Sequence, residues 1–206
     1  MNDPRLHELL AGRWSPSAFD PDCELSDEQL DTLVAAARWA PSWGNMQPWS
    51  LIVLRRGGPG WEVLTSHLTR GNFGWVPRAS AVLLATAPVL ADPDDPDDDG
   101  RHRLISWYDV GQASAHVTLQ ARAMGLEAHQ FAGFDREAVA ASLGVPEDRV
   151  IPAGIAVGRH APETLDTSTE DGARVAEKES RVRRRNPASE FAHAGRWGTP
   201  WPPPAG

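Results

Sequence analysis

Hydrophobic residues recur along the chain at two kinds of spacing, and the clearest is helical. The Ser26–Gln29 stretch has the polar pattern of a helix-capping box, and apolar residues follow it every three or four positions until Pro41. The segment Ile105–Met124 has the same spacing over a longer span, and Gly125 after it suits the left-handed residue that closes many helices. The pattern therefore predicts a capped amphipathic helix near the N-terminus and a long helix in the middle of the chain.

Shorter helices are predicted beside these two. Asp3-Pro4 opens a short capped helix that carries leucines up to Leu10, because proline in the first helical position gives up no hydrogen bond. Residues 61–68 are expected to be helical, and so are residues 136–143, which Gly144 would close.

Apolar runs between turn residues predict the strands of a sheet. We expect strands at Ser50–Leu54, Ser80–Val89, Leu126–Phe131 and Val150–Val157, the first two and the last of them buried. Because helices and strands alternate, the pattern favours an α/β or α+β sandwich with helices on both faces of the sheet. The order of the strands does not follow from it.

Length and composition suit one folded domain over residues 1–206. Hydrophobic residues make up 41% of the chain and charged residues 23%, as in ordinary globular proteins. The C-terminal arm, residues 161–206, carries tryptophans that would be a liability in a free tail. We therefore expect the arm to pack on a surface, that of a second subunit being one candidate.

Charge and cysteine content narrow the classes of function. The net charge of −8 counts against a protein whose whole surface binds nucleic acid, and the histidines lack the spacing of zinc ligands, so we expect no metal site. The chain has no bilayer-length apolar stretch, no secretory signal and one cysteine, Cys23, which predicts a cytoplasmic protein. The acidic run Asp92–Asp99 predicts an exposed loop that could act as a mobile lid.

The segment Ala40–Trp49 is the first candidate for ligand binding, because it joins a helix to a strand and two prolines stiffen it. Asn45 and Gln47 each offer an amide that donates and accepts, which suits the edge of a heteroaromatic ring. The alternative is a structural turn in which both amides satisfy the backbone and Trp49 is part of the core.

Two arginine-containing segments are candidates for an anion site. Arg13 lies close to the hydroxyls of Ser15 and Ser17, and Arg183 and Arg185 would point the same way in an extended chain. A phosphate clamp built from both ends of the chain would use both segments. The alternatives are ordinary solvated surface charges and a basic arm for nucleic acid.

These segments together resemble one protein family. Arg-x-Ser-x-x-x-Phe from Arg13, Ala-Pro-Ser-x-x-Asn-x-Gln-Pro-Trp from Ala40, Gly-Phe-Asp from Gly133 and Arg-x-Arg-x-Pro from Arg183 follow the order found in the FMN-dependent nitroreductases. The resemblance extends from about Arg13 to Trp201. It implies an α+β three-layer sandwich with a mainly antiparallel central sheet, and an intertwined homodimer with two FMN sites at the subunit interface.

The resemblance also implies roles for individual residues around the FMN phosphate. Arg13, Arg183 and Arg185 would hold the phosphate, with Ser15 nearby. Ser17 lies in the same segment, where many relatives carry a second basic residue.

Around the flavin ring, four residues of one loop would reach across from the other subunit: Pro41, Ser42, Trp43 and Asn45. Gln47 would lie near the ring or the ribityl chain, and Asn72 near the pyrimidine edge. The backbone amides of Ala132 and Gly133 would lie near flavin N5. Trp43 either narrows the acceptor pocket or is buried as core.

The function implied is hydride transfer from NADH or NADPH through flavin N5 to a nitroaromatic, quinone or similar acceptor, with ping-pong kinetics and no catalytic side chain. No glycine-rich dinucleotide motif occurs, which agrees with a nicotinamide that stacks on FMN. The alternatives are another flavin reaction on the same fold, such as reductive dehalogenation or flavin fragmentation, and a non-catalytic protein that binds flavin or nucleic acid.

Overall fold

The computed structural model describes residues 5–69, 71–89 and 101–202. Its α-helices are α1 (Glu8–Gly12), α2 (Asp27–Arg38), α3 (Trp61–Ser66), α4 (Arg101–Ala123), α5 (Arg136–Ser142), α6 (Glu170–Glu179) and α7 (Ala188–Phe191). Its strands are β1 (Ser50–Arg55), β2 (Ala81–Pro88), β3 (Glu127–Phe131) and β4 (Arg149–Gly158). No helix in the described ranges combines the length and the apolar character that a bilayer crossing requires. The acidic run Asp92–Asp99 lies outside the described residues.

The strands form one sheet in the order β1-β2-β4-β3, and every neighbouring pair is antiparallel. Strand β2 is buried on both faces because its side chains alternate between two hydrophobic clusters. Val82 and Leu84 face the cluster that includes α3 and α5, whereas Leu83 faces the cluster of α2 and α4. The expected α+β sandwich with an antiparallel sheet between layers of helices is confirmed.

The two main helix predictions are also confirmed. The Ser26 hydroxyl accepts a hydrogen bond from the Gln29 N–H, and the Gln29 side chain accepts one from the Ser26 N–H, so α2 begins with the predicted capping box. The apolar face of α4 is buried at Val110, Ala113, Val117 and Ala121. Gly125 follows this helix with φ of 74°, the left-handed conformation expected of the closing residue.

Two predictions in the N-terminal half of the chain were wrong, the start of the first helix and the burial of the first strand. The first helix begins at Glu8, because the imidazole of His7 caps it by accepting from the Leu9 N–H at 3.2 Å; Asp3 and Pro4 lie outside the described residues. Strand β1 is not a buried strand, since it lies at the edge of the sheet and only Leu54 within it is buried. A run of apolar residues does not distinguish an edge strand from a central one.

The C-terminal part of the chain contains a helix that the sequence pattern did not predict. Helix α6 is capped by Thr169, whose hydroxyl accepts from the Gly172 N–H at 3.1 Å, and it buries Val175 in the core. The chain beyond α6 returns to the N-terminal segment, where it carries its arginines to Arg13.

Candidate functional site

Arginines from opposite ends of the chain come together beside α1. The Arg183 Nη2 atom donates to the carbonyl oxygens of Ala11 at 3.0 Å and Arg13 at 2.9 Å. Burial lowers the pKa of Arg13, and the nearby positive charges of Arg185 and Arg183 lower it further. We call Arg13, Arg183 and Arg185 the arginine cluster. An anion bound there would relieve the repulsion within the cluster and accept charge-assisted hydrogen bonds.

The arginine cluster lies between two cavities. A cavity of about 310 Å³ is bounded by Arg13 and Ser15 on one side and by Gln130 of β3 and Thr118 of α4 on the other. A second cavity of about 800 Å³ is lined by Arg183 and Arg185 together with apolar side chains of α1 and α7. The first cavity lies beside β3, an edge strand, and Arg13 contributes a cationic group to its lining.

Close packing at the end of α1 holds this region together. A Cβ atom on Gly12 would clash with the guanidinium of Arg122, so a larger residue would push that guanidinium away from the residue before Arg13. Arg122 also forms an ion pair with Glu127 at the start of β3. The sequence did not predict this arrangement, whose local signal is a glycine at the end of a short helix.

Ser15 and Ser17 differ in their surroundings. Ser15 is exposed, and its hydroxyl accepts from Nη1 of Arg13 at 3.3 Å. Ser17 is only 2% exposed, and its hydroxyl lies 3.4 Å from Nδ1 of His129. The structure thus brings Ser15 to the arginine cluster and turns the Ser17 hydroxyl towards the protein interior.

His129 supports the segment that carries these serines. Its Nδ1 donates to the carbonyl oxygen of Pro16 at 2.8 Å, and its ring stacks on Trp75 with centroids 4.1 Å apart. Burial is the largest cause of the lowered pKa of His129; the charges of Lys178 and Arg13 also lower it, while the Pro16 hydrogen bond and Glu179 oppose the shift. His129 is therefore a neutral, stacked ring at neutral pH.

The far end of β3 carries the predicted backbone amides. Ala132 is exposed and Gly133 is buried. The Gly133 carbonyl oxygen accepts from Nδ2 of Asn72 at 3.1 Å and from the Thr69 N–H at 2.8 Å. Oδ1 of Asn72 in turn accepts from Nε1 of Trp75 at 3.0 Å. Asn72 thus lies beside Gly133, with its amide engaged in holding that turn in place.

The loop that begins at Pro41 is exposed and has an unusual backbone. Gly44, Asn45 and Gln47 have φ of 56°, 58° and 48°, in the left-handed region that L-residues other than asparagine rarely adopt. The Ser42 hydroxyl accepts from the Gln47 N–H at 3.0 Å, and Oδ1 of Asn45 accepts from Nε2 of Gln47 at 3.2 Å. These contacts organise the loop, and strain of this kind often accompanies binding sites.

Trp43 belongs to the surface and Trp49 to the interior. Trp43 is 49% exposed, so of the two roles considered for it, burial in the core of this chain is excluded. Trp49 is partly buried and packs against the core, as the structural interpretation of the loop expects.

The exposed loop and the arginine cluster are separated within one chain. The Trp43 N–H donates to Oδ2 of Asp109 at 2.9 Å, which fixes the loop beside the first half of α4. The cavity next to Arg13 contacts α4 at Thr118. Nine residues of helix separate Asp109 from Thr118, or about 13 Å along the axis at a rise of ~1.5 Å per residue. The loop and the cavity therefore contact different turns of the same helix.

Comparison with known proteins gives a consistent result. The Nitroreductase family model matches residues 10–59 and 59–159. An oxygen-insensitive NAD(P)H nitroreductase of Salmonella typhimurium is 29% identical over 198 residues, covering 75% of this chain and 88% of that protein. A CLA biosynthesis enone reductase of Lactiplantibacillus plantarum is 26% identical over 200 residues, covering 81% of this chain and 90% of that protein. The solved structure of an oxidoreductase containing FMN is similar with a TM-score of 0.79 and 27% identity, covering 96% of this chain and 95% of that one.

Proposed function

The chain belongs to the nitroreductase family of NAD(P)H oxidoreductases, and we propose that it is an FMN-dependent enzyme that reduces nitroaromatic, quinone or similar acceptors. The observation that carries the proposal is the arginine cluster, which the fold assembles from both ends of the chain beside a cavity along β3. A phosphate-bearing ligand is the natural partner of three neighbouring guanidinium groups.

The donor groups around the cavity fit FMN. Arg13, Arg183 and Arg185 offer cationic donors for its phosphate, and Ser15 offers a hydroxyl for a ribityl oxygen. Nε2 of Gln130 donates to Oγ1 of Thr118 and the carbonyl of Ser114, so Gln130 would accept from a ribityl hydroxyl through Oε1. Ala132 directly follows β3 and lies four positions beyond Ala128, which also lines the cavity, a distance of about 13 Å at ~3.3 Å per residue. Phosphate and ring ends of one elongated ligand would thus both find partners along β3.

When bound, FMN supplies the hydride chemistry at N5, with NADH or NADPH as donor and ping-pong exchange of donor and acceptor. The chain itself contributes position. Asn72 and Thr69 fix the carbonyl of Gly133, which holds the turn carrying the proposed N5 contacts. His129 fixes the carbonyl of Pro16 and with it the segment from Arg13 to Ser17. No side chain is required to move a proton in this scheme.

We propose that the active form is a homodimer. The exposed face of α4 carries Leu104, Tyr108, Gly111 and Ala115 at helical spacing, and the first two are 65% and 71% exposed. Such an apolar stripe calls for a partner surface, and its small residues permit close approach of another helix. As the family resemblance implies, a second copy on this face would also bring its Trp43–Gln47 loop to the flavin site. We propose that the C-terminal arm, whose Trp197 and Trp201 are exposed in the single chain, also packs on the second subunit.

Steady-state turnover tests the proposed reaction. Purified protein loaded with FMN should oxidise NADH or NADPH when a nitroaromatic, a quinone or an enone is added, the last because of the named activity of the Lactiplantibacillus relative. The flavin-free protein serves as the control. Absence of turnover with every acceptor, in a protein that holds FMN, would favour dehalogenation or flavin fragmentation. Salt-sensitive nucleic-acid binding that persists without FMN would favour the non-catalytic alternative.

A further inference from the structure

The carboxylate of Glu179 joins the two parts of the chain from which the arginine cluster is built. Its side chain is 10% exposed, at the end of α6. Oε1 accepts from the backbone N–H groups of Ser17 at 2.6 Å and Ala18 at 3.2 Å. Oε2 accepts from Nε2 of His160 at 2.7 Å. Both oxygens of a nearly buried carboxylate are thus satisfied by the segment after Arg13 and by the end of the sheet.

Glu179 lies in the C-terminal arm, at the end of α6 and shortly before the arginines of the cluster. Four residues separate it from Arg183, a span of at most about 14 Å at ~3.3–3.6 Å per residue. Arg183 then returns to the same N-terminal segment through its bonds to the carbonyls of Ala11 and Arg13. The arm and the segment 11–18 are therefore connected at two points, one on each side of Arg13.

His160 extends this connection to the residue between Arg13 and Ser15. Its ring meets the ring of Trp14 edge to face, with centroids 5.1 Å apart and planes at 89°. The Ala161 N–H donates to the carbonyl of Ala18 at 2.8 Å, which holds His160 against the same segment. Glu179 and His160 thus contact residues 14–18, while Arg183 forms hydrogen bonds with residues 11 and 13.

Resting on the proposed function, we propose that Glu179 is a positioning residue for the FMN phosphate. It touches neither phosphate nor ring; it holds Arg13 and Ser15 in register with Arg183 and Arg185, so that the guanidinium groups are already gathered when the ligand arrives. Its negative charge is met by two N–H groups and by His160, which leaves the cationic cluster available to the phosphate. The consequence is specific: Glu179 should matter for the phosphate of FMN and little for its ring.

Comparing FMN with riboflavin isolates that contribution, because the two flavins differ by the phosphate alone. Each flavin is titrated into flavin-free protein, its fluorescence is followed, and the ratio of the riboflavin Kd to the FMN Kd measures phosphate preference. In Glu179→Ala we expect this ratio to fall about tenfold, since guanidinium groups that were pre-ordered must be ordered on binding. Glu179→Gln keeps an acceptor for the Ser17 and Ala18 N–H groups and should retain most of the preference.

Two further variants complete the comparison. His160→Phe keeps a ring beside Trp14 and removes the bond to Glu179, so it should lower the ratio in a protein that still folds. Glu170→Ala removes the same charge from an exposed position on α6, where Glu170 pairs with Arg174, and should leave the ratio unchanged. If Glu179→Ala does not fold, the Gln and Phe variants carry the comparison between them.

The outcomes distinguish the positioning role of Glu179 from the phosphate site formed by the arginine cluster. A lower ratio in Glu179→Ala and His160→Phe, with Glu170→Ala unchanged, supports the positioning role. Equal loss of affinity for both flavins, or an unchanged ratio, overturns it and leaves the phosphate site intact. A wild-type protein that binds both flavins equally well contradicts the arginine cluster as a phosphate site, and this inference with it.

Discussion

Replacing Arg183 and Arg185 together by alanine should weaken FMN binding by on the order of a hundredfold. A charge-assisted hydrogen bond contributes about 1.5–3 kcal/mol, and both side chains are exposed, so the lower end applies to each. Two such contacts amount to about 3 kcal/mol, which corresponds to roughly 150-fold in Kd. Arg183→Ala alone should cost more than Arg185→Ala, because only Arg183 is held in place by the carbonyls of Ala11 and Arg13.

The assay is titration of flavin-free protein with FMN at two salt concentrations. The double variant should show weaker binding and a smaller dependence on salt, because two charges that attract the phosphate are gone. Arg181→Ala is the matched control: Arg181 lies in the same arm, but it pairs with Glu177 on the surface. It should bind FMN as the wild type does.

The stability of the flavin-free protein separates a binding effect from damage to the fold. Removing Arg183 breaks two exposed hydrogen bonds, but it also removes one of the positive charges that, after burial, lower the pKa of Arg13. The free energy of unfolding should therefore change by about 1 kcal/mol or less. FMN affinity equal to that of the wild type in the double variant would refute the arginine cluster as the phosphate site.

Four further predictions concern other parts of the account. Burial lowers the pKa of His129, so as the pH falls the unfolded chain protonates this histidine before the folded chain does, and the free energy of unfolding should decrease below about pH 6.5. In His129→Phe the melting temperature should depend less on pH between about pH 5 and 8. Asn45→Ala should weaken flavin binding or slow flavin reduction. Asn45→Gly, which favours the left-handed backbone, should show the same effect if the side-chain amide is responsible. If both variants behave as the wild type does, the loop has only a structural role. Gly111→Arg should favour the helical conformation of α4, but its large side chain should block the proposed interface, so sedimentation should show a monomer without flavin. Gly111→Ala should remain a dimer with flavin, and a flavin-loaded dimer of Gly111→Arg would contradict the proposed interface. Trp75→Phe should cost about 1–3 kcal/mol in urea denaturation because it leaves Oδ1 of Asn72 without its donor, and a wild-type midpoint would argue against that contact.

The parts of the fold that sequence predicted well depend on local signals. The capping box of α2 lies within four residues, and the buried face of α4 repeats within one helix. Strand β2 is a continuous apolar run, as its burial on both faces demands. In each case the residues that make the element also carry the pattern.

The errors come from contacts that no local pattern contains. Whether β1 is central or at an edge depends on the order of the strands, and within the described residues β1 pairs with β2 alone. Helix α6 buries Val175 and is otherwise largely polar, so few apolar residues mark it in the sequence. The start of α1 is set by the His7 ring, a less common cap than serine or aspartate.

The candidate site shows the same division. Arg13 and Arg183 were predicted to meet from the family resemblance, and the structure brings them together across 170 positions. The bond between Asn72 and Gly133 spans 61 positions, and that between Ser17 and Glu179 spans 162. These contacts depend on the tertiary fold, and the spacing of residues in the sequence does not predict them.

The most direct test of the account is the visible absorption spectrum of the protein after incubation with FMN and desalting, recorded before and after anaerobic addition of NADH or NADPH. The account predicts that the flavin bands are retained through desalting and that they bleach with at least one of the two nucleotides. A protein that retains no flavin, or whose flavin bands persist with both nucleotides, would contradict it.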